Sequence, residues 1–137
     1  MSEIGSKFSA AHVYPVLAVD DVKRAVSFYR DKLGLEVEED SEGYARVHAG
    51  NGWVTLYKTS SPRGQNTLAA FVVEDVEGTV KYLRERGVKF EEYDFPGLKT
   101  VNGIAVQSGK KFAWFKDSEG NTLSVGEGMG SAKSQAA

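Results

Sequence analysis

Val19-Asp20-Asp21-Val22-Lys23-Arg24-Ala25-Val26-Ser27-Phe28-Tyr29-Arg30 stands near the start of the chain, and Val73-Glu74-Asp75-Val76-Glu77-Gly78-Thr79-Val80-Lys81-Tyr82-Leu83-Arg84 answers it in the second half. Val19, Asp21, Val22, Val26 and Arg30 return as Val73, Asp75, Val76, Val80 and Arg84 at one constant offset. Each stretch closes a strand, caps a helix and sets out that helix's apolar face. The aspartate accepts the unpaired N–H groups of a helix start, and valines four apart share one side of a helix. Agreement across a strand, a cap and a helix face points to a duplicated unit.

Working outward, Val13–Val19 is short, apolar and β-branched, which predicts a strand. Val22, Ala25, Val26, Tyr29 and Leu33 predict one helix face, with Gly34 as its left-handed stop. Strands follow at Leu35–Glu39, Tyr44–His48 and Trp53–Lys58, separated by the turns Ser41-Glu42-Gly43 and Gly50-Asn51-Gly52. The second pass runs Leu68–Val73, a helix on Val76, Val80 and Leu83 ended by Gly87, then strands Val88–Tyr93, Lys111–Lys116 and Thr122–Val125. With a slip of one residue Gly34 matches Gly87, and Glu38-Glu39 matches Glu91-Glu92. The fold class is α+β: two βαβββ modules, about 12–60 and about 66–127, forming a curved mixed sheet around a cleft with helices outside. Residues 1–11 read as a disordered leader and 128–137, rich in Gly, Ser and Ala, as a disordered tail.

A chain of 137 residues is one ordinary domain. Without cysteine it has no disulfide, thiolate nucleophile or Cys-based metal site, which suits a cytoplasmic protein. Its 17 basic and 19 acidic residues give a net charge of −2, with no electrostatic case for nucleic acid or an anionic membrane as partner. The apolar runs are too short to span a bilayer.

Strand alternation assigns sides. Pro15, Leu17, Val19, Val54 and Leu56 pack under helices. Tyr14, Val16, Trp53, Thr55, Tyr57, Leu68, Ala70, Phe112, Trp114, Thr122 and Ser124 face the cleft. The candidate ligand-binding residues are Tyr14, Trp53, Thr55, Tyr57, Leu68, Phe112, Trp114 and Ser124: apolar and aromatic walls with a few hydroxyls, as small-molecule sites have. No histidine stands near Ser108 or Ser124 for a triad. The two histidines, His12 and His48, read as exposed structural residues, with no Glu or Asp spaced on a partnering strand to complete a facial metal set. The runs Asp20-Asp21, Glu38-Glu39-Asp40 and Glu91-Glu92 read as caps and solvated edges, because strand neighbours point to opposite faces.

Leu17-Ala18-Val19-Asp20-Asp21-Val22, Ala25-Val26-Ser27-Phe28-Tyr29, Leu33-Gly34-Leu35, Leu83-Arg84-Glu85-Arg86-Gly87-Val88 and Phe115-Lys116-Asp117-Ser118-Glu119-Gly120-Asn121 together resemble the vicinal-oxygen-chelate superfamily of glyoxalases, bleomycin-resistance proteins and dioxygenases. The last stretch is similar to the family's F-x-D-P-D-G-N turn, with Ser118 in place of proline. The resemblance covers about residues 12–127 and implies the glyoxalase/bleomycin-resistance/dihydroxybiphenyl-dioxygenase fold. Phe90–Thr100, continuing through Asn102-Gly103-Ile104-Ala105, is similar to a segment of a bacterial subgroup and reads as a loop over the cleft mouth.

Metal-dependent members carry His or Gln, Glu, His and Glu at four inward positions, which the resemblance carries over to Tyr14, Thr55, Leu68 and Ser124. Leucine cannot ligate, and neutral hydroxyls are poor donors for a divalent cation. The expectation is therefore no metal and no cofactor. The functional reading is a metal-independent protein that binds a small molecule of aromatic character. The alternative is a vicinal-oxygen-chelate lyase, isomerase or dioxygenase with a non-standard or absent metal site. The resemblance also implies a homodimer.

Overall fold

The computed structural model describes residues 3–10, 14–40, 43–59, 63–64 and 66–127. A short helix α1 (Glu3–Ser9) precedes the first module. Of the stretch expected as a disordered leader, residues 3–10 are described, Glu3–Ser9 as this helix, while Met1, Ser2 and Ala11 lie outside the described residues. Local bonds suffice to turn the segment, with Ser9 Oγ donating to the Ser6 carbonyl at 3.0 Å and the Ala10 N–H to that of Lys7 at 3.2 Å. His12, the start of the expected Val13–Val19 strand, Ser41-Glu42 and the tail 128–137 lie outside the described residues.

Module one runs β1 (Val16–Val19), α2 (Val22–Ser27), β2 (Glu36–Glu39), β3 (Tyr44–Ala49) and β4 (Gly52–Lys58). Asp21 caps α2, its carboxylate accepting the Arg24 N–H at 3.0 Å. After Ser27 the helix widens to a π turn, Phe28–Lys32, in which the Leu33 N–H reaches the Phe28 carbonyl. Gly34, at φ +73°, turns the chain out of it, a conformation that costs other residues Cβ strain. The sheet order is β1-β4-β3-β2, with β1 parallel to β4 and the other pairs antiparallel.

Module two repeats the plan with β5 (Thr67–Val72), α3 (Val76–Glu85), the small hairpin β6 (Asp94–Phe95) and β7 (Leu98–Lys99), β8 (Ala105–Gln107), β9 (Lys110–Lys116) and β10 (Thr122–Gly126). Asp75 caps α3 through the Gly78 N–H at 3.0 Å. The sheet order is β5-β10-β9-β8, with β5 parallel to β10, as β1 is to β4.

The expected strand Val88–Tyr93 is corrected. Phe90 makes a single bridge to Phe115, and the Glu91 N–H bonds the Trp114 carbonyl at 2.8 Å. The chain then leaves the sheet and returns only at Ala105, opposite Phe112. The excursion satisfies its own backbone. The Tyr93 N–H donates to Thr100 Oγ1 at 2.8 Å, the Thr100 N–H to the Tyr93 carbonyl at 2.9 Å, and the Thr100 hydroxyl to Glu92 at 2.5 Å. Phe95-Pro96-Gly97-Leu98 reverses the chain with Gly97 at φ +87°, the proline-then-glycine chemistry of a type II turn.

One continuous apolar core unites the modules. Leu17, Val19, Ala25, Val26, Tyr29, Val47 and Leu56 of the first are buried in the same cluster as Val76, Val80, Leu83, Ala113, Phe115, Leu123 and Val125 of the second. Burial of each larger aliphatic side chain is worth about 1.5–3 kcal/mol. The turn after β9 fastens the modules further. Asp117 accepts the Tyr29 hydroxyl at 2.6 Å, the Glu119 N–H at 2.8 Å and the Asn121 N–H and Nδ2 at 2.9 Å. Asn121 Nδ2 also donates to the Ala18 carbonyl at 2.8 Å. Glu119 takes the N–H groups of Asp20 and Asp21 at 2.9 and 3.0 Å and the Arg24 guanidinium at 2.7 Å. That guanidinium, helped by the backbone donors, holds the Glu119 carboxyl down at about 2. Burial, and then the adjacent Asp117 charge, push the Tyr29 hydroxyl well above its ordinary range, so it stays a donor.

No helix among the described residues is long and apolar enough to cross a membrane.

Candidate functional site

Alternation along the strands holds in part: Pro15, expected under a helix, is exposed, and in β10 every residue is buried, Thr122 and Ser124 of the expected cleft face included. Leu17, Val19, Val54, Leu56, Leu123 and Val125 are buried, while Tyr14, Val16, Tyr57 and Leu68 keep 41–56% of their surface. Each sheet has a helix-covered face and an opposite one; of the candidate residues Tyr14, Tyr57 and Leu68 are exposed, Trp53, Thr55, Phe112 and Trp114 half-buried, and Ser124 buried.

The first open face is built in register. Trp53, Thr55 and Tyr57 of β4 stand opposite His48, Arg46 and Tyr44 of β3, and Glu36 and Glu38 of β2 stand opposite His48 and Arg46. The Tyr14 and Trp53 rings lie 5.0 Å apart and those of Tyr44 and Tyr57 6.1 Å apart. Tyr14 and Thr55 share a cavity of about 330 Å³ with Glu38, Asp40, Tyr44 and Arg46. Within this face His48 Nε2 lies 2.5 Å from Glu38 Oε1. His48 thus pairs with one carboxylate, and among the described residues no further His, Asp or Glu joins the pair as a metal-holding group. Glu38 and Glu39 do point to opposite faces: Glu38 turns to His48, and Glu39 to Arg30 at 3.4 Å. Parity applied to β2 and β3, as it was to β1 and β4, finds Glu38, Arg46 and His48.

The second open face is aromatic. Trp114 lies between Phe112, with rings near-parallel at 6.4 Å, and Tyr93, edge-on at 5.5 Å. Tyr93 in turn contacts Phe95 at 5.6 Å. Phe112 lies flat across the neighbouring strand because Gly126 leaves room for it; a Cβ there would stand 2.5 Å from the ring. Trp114, Thr122 and Lys116 join Tyr93, Phe95 and Leu98 of the excursion around a groove of about 470 Å³. Lys116 and Glu91 pair across one end at 3.4 Å. Burial, with Glu91 nearby, raises the Tyr93 hydroxyl above its usual range, so it too remains a donor. The segment read as a loop over the cleft mouth thus forms a wall of this groove. Ser124, opposite Trp114 in register, is buried, and Leu68 lies exposed on the edge strand β5.

A single chain does not bring these residues into one concavity. Tyr14 and Thr55 line one cavity and Trp114 and Thr122 another, while Trp53 and Ala70 border a third of about 570 Å³ between the modules. The four positions that correspond to metal ligands divide in the same way, Tyr14 and Thr55 on the first sheet and Leu68 and Ser124 on the second. Their donor set does not fit a divalent cation, and the described residues contain no group of three or more His, Cys, Asp or Glu placed to hold one. A wider groove of about 840 Å³ runs along α3, away from both open faces.

The model of the Glyoxalase/Bleomycin resistance protein/Dioxygenase superfamily matches residues 10–125. Among solved structures, lactoylglutathione lyase from Agrobacterium tumefaciens is 21% identical, with a TM-score of 0.64 over 87% of this chain and 94% of that one. The genomically encoded fosfomycin resistance protein from Listeria monocytogenes is 15% identical, with a TM-score of 0.64 over 87% and 93%. A variant of that protein complexed with Mn(II) and 1S,2S-dihydroxypropylphosphonic acid is 16% identical, with a TM-score of 0.60 over 85% and 88%. No curated protein matches the chain.

Proposed function

Because this chain belongs to the glyoxalase/bleomycin resistance protein/dioxygenase superfamily, we propose that it is a vicinal-oxygen-chelate enzyme with a non-standard site, acting on a small molecule with a planar, partly aromatic portion. The observation that carries this reading is the groove of Tyr93, Phe95, Leu98 and Trp114. Its apolar walls suit a flat group, and Thr122, Lys116 and the Tyr93 hydroxyl offer the few oriented polar contacts that such sites need. The structural likeness to a lyase and to a fosfomycin resistance protein supports small-molecule work on this fold. A second reading, metal-independent sequestration of the same kind of molecule, is favoured by Tyr14, Thr55, Leu68 and Ser124 standing where metal ligands would be.

A homodimer is part of the proposal. β1 and β5 are edge strands with exposed Val16, Leu68 and Val72, and a second copy could set the polar face of one chain against the aromatic face of the other. A sedimentation mass of one chain would count against it. The absence of cysteine supports placement in the cytoplasm.

The test is a fluorescence titration of the Trp53→Phe variant, in which Trp114 alone reports, against small aromatic ketones, acids and phenols. Saturable quenching is expected, with at least about a tenfold loss of affinity in ligand-detected NMR when Trp114 becomes Ala. NMR of the bound compound then separates the readings: conversion supports the enzyme, and an unchanged ligand supports sequestration. Absence of saturable quenching across the panel overturns both.

A further inference from the structure

We propose that the open face of the first sheet is an acid–base site that removes a proton next to a carbonyl group, with His48 as the base, Glu38 as its positioning residue and Arg46 as the holder of the oxygen. This goes beyond the Trp114 groove to the other open face of the chain, and it rests on the enzyme reading. Glu38 stands opposite Arg46 in register, yet its carboxylate lies 2.5 Å from His48 Nε2 on the diagonal. That choice has two consequences. The carboxylate accepts the Nε2 proton, which fixes the ring and leaves Nδ1 with a free lone pair. Arg46 is left without a carboxylate at ion-pair distance among the described residues. A carboxylate-held imidazole and an uncommitted guanidinium are what enolate formation needs: a base for the proton and a donor for the oxygen on which charge develops.

The surroundings narrow the substrate. Arg46 and His48 are two residues apart on one strand face, about 7 Å between Cα atoms, so their side chains can meet adjacent atoms of one small molecule. Trp53, opposite His48, meets the Tyr14 ring at 5.0 Å with a tilt of 33°, an aromatic pair on which an aryl or other planar group can pack. Facing the imidazole and guanidinium are Glu36 and Glu38 of β2, with Asp40 beyond, Tyr44 on β3 and Tyr14, Thr55 and Tyr57 on the inner strands; Glu39 is taken by Arg30. So acid-rich a rim disfavours an anionic ground state. The substrate is therefore a neutral carbonyl compound bearing a planar group, and negative charge appears only as the proton leaves. In the step, His48 Nδ1 takes the proton from the carbon next to the carbonyl. The electron pair of that C–H bond forms the enolate, whose oxygen accepts from Arg46. Return of a proton from the imidazolium to carbon restores the ketone, so no oxidant or metal is consumed.

The test follows 1-phenylpropan-2-one in D2O with the full chain, reading loss of its benzylic proton signal by NMR. Exchange faster than in buffer is expected. His48→Gln should return it to the buffer rate, and Arg46→Met should lower the maximal rate at least about tenfold. Glu38→Gln should lower the rate and move its pH profile, with little change in the half-saturating concentration, which a merely structural role would not do. Circular dichroism confirms that each variant is folded, and Arg46→Lys should recover part of the rate. Exchange no faster than buffer, or unchanged in His48→Gln, overturns the site. If Trp114 titrates a ligand while no exchange occurs, this inference fails alone; if neither is seen, the enzyme reading fails with it.

Discussion

The two modules share a backbone plan and differ in what their open faces carry. In the first, the outer strand β2 is continuous and sets Glu36 and Glu38 beside Arg46 and His48. In the second, the outer strand breaks after Phe90–Glu91, and residues 92–104 swing out to lay Tyr93 and Phe95 beside Trp114. One face is polar with an aromatic edge, and the other is an aromatic groove with a polar edge. The repeated residues, Val19 and Val73, Asp21 and Asp75, Val26 and Val80, pack the core or cap helices. Duplication is thus visible where packing constrains the side chain, and the faces left open have diverged.

The largest expected effect comes from cutting the turn that fastens the modules. Asp117→Ala removes the acceptor shared by the Tyr29 hydroxyl, two backbone N–H groups and Asn121, and leaves the buried Tyr29 hydroxyl without it. A loss of about 3 kcal/mol is expected in a urea titration, since stranding buried donors costs more than a hydrogen bond returns. An unchanged midpoint would mean that the apolar core alone unites the modules.

This clamp also marks how far the residues could be read without coordinates. The repeat, both caps, the glycine stops and the buried strand faces follow from local periodicity and cap chemistry, so they were legible. The family resemblance singled out Asp117–Asn121 as a turn. Its partners, Ala18, Asp20, Asp21, Arg24 and Tyr29, lie in the other module, and no local pattern names them. The broken outer strand was missed for a related reason: Val88–Tyr93 has strand propensity, but the bonds of Thr100 to Glu92 and Tyr93 are set beyond any short window. For the site, parity separates buried from open positions on β4 but not at Pro15 or along β10, where every residue is buried, and it carries nothing on whether two open faces meet. The Glu38–His48 pair depends on the register of β2 against β3, which neither strand's own pattern carries.

An intermediate effect separates the modules by pH. Glu119, held by Arg24, has a folded pKa of about 2, against about 4.3 in an unfolded chain. Because the folded value is the lower, its contribution is complete above about pH 4.5 and is lost as pH falls towards 2. That contribution is about 2–3 kcal/mol. Glu119→Gln should lower stability at neutral pH and flatten the decline between pH 5 and 2, read as melting temperature against pH. A variant whose acid decline is as steep as the parent's would place the acid-sensitive contacts elsewhere.

The smallest effect sharpens the comparison at the excursion itself. Thr100 is buried and ties Glu92 to Tyr93, and its hydroxyl is the main reason that the Glu92 carboxyl sits below its usual range, with the Gly103 N–H second. Thr100→Val keeps the shape and removes the hydroxyl. The Glu92 carboxyl should then titrate closer to an ordinary glutamate in a carbon-13 NMR titration, and amides of residues 92–104 should exchange faster while those of β9 and β10 stay protected. The first module has no such excursion, so its β2–β3 amides serve as the internal reference. If the exchange of 92–104 does not change, the aromatic contacts of Tyr93 and Phe95 with the Trp114 face hold the segment without the threonine. The groove would then be a fixed wall built by stacking, and ligand binding should not depend on ordering it.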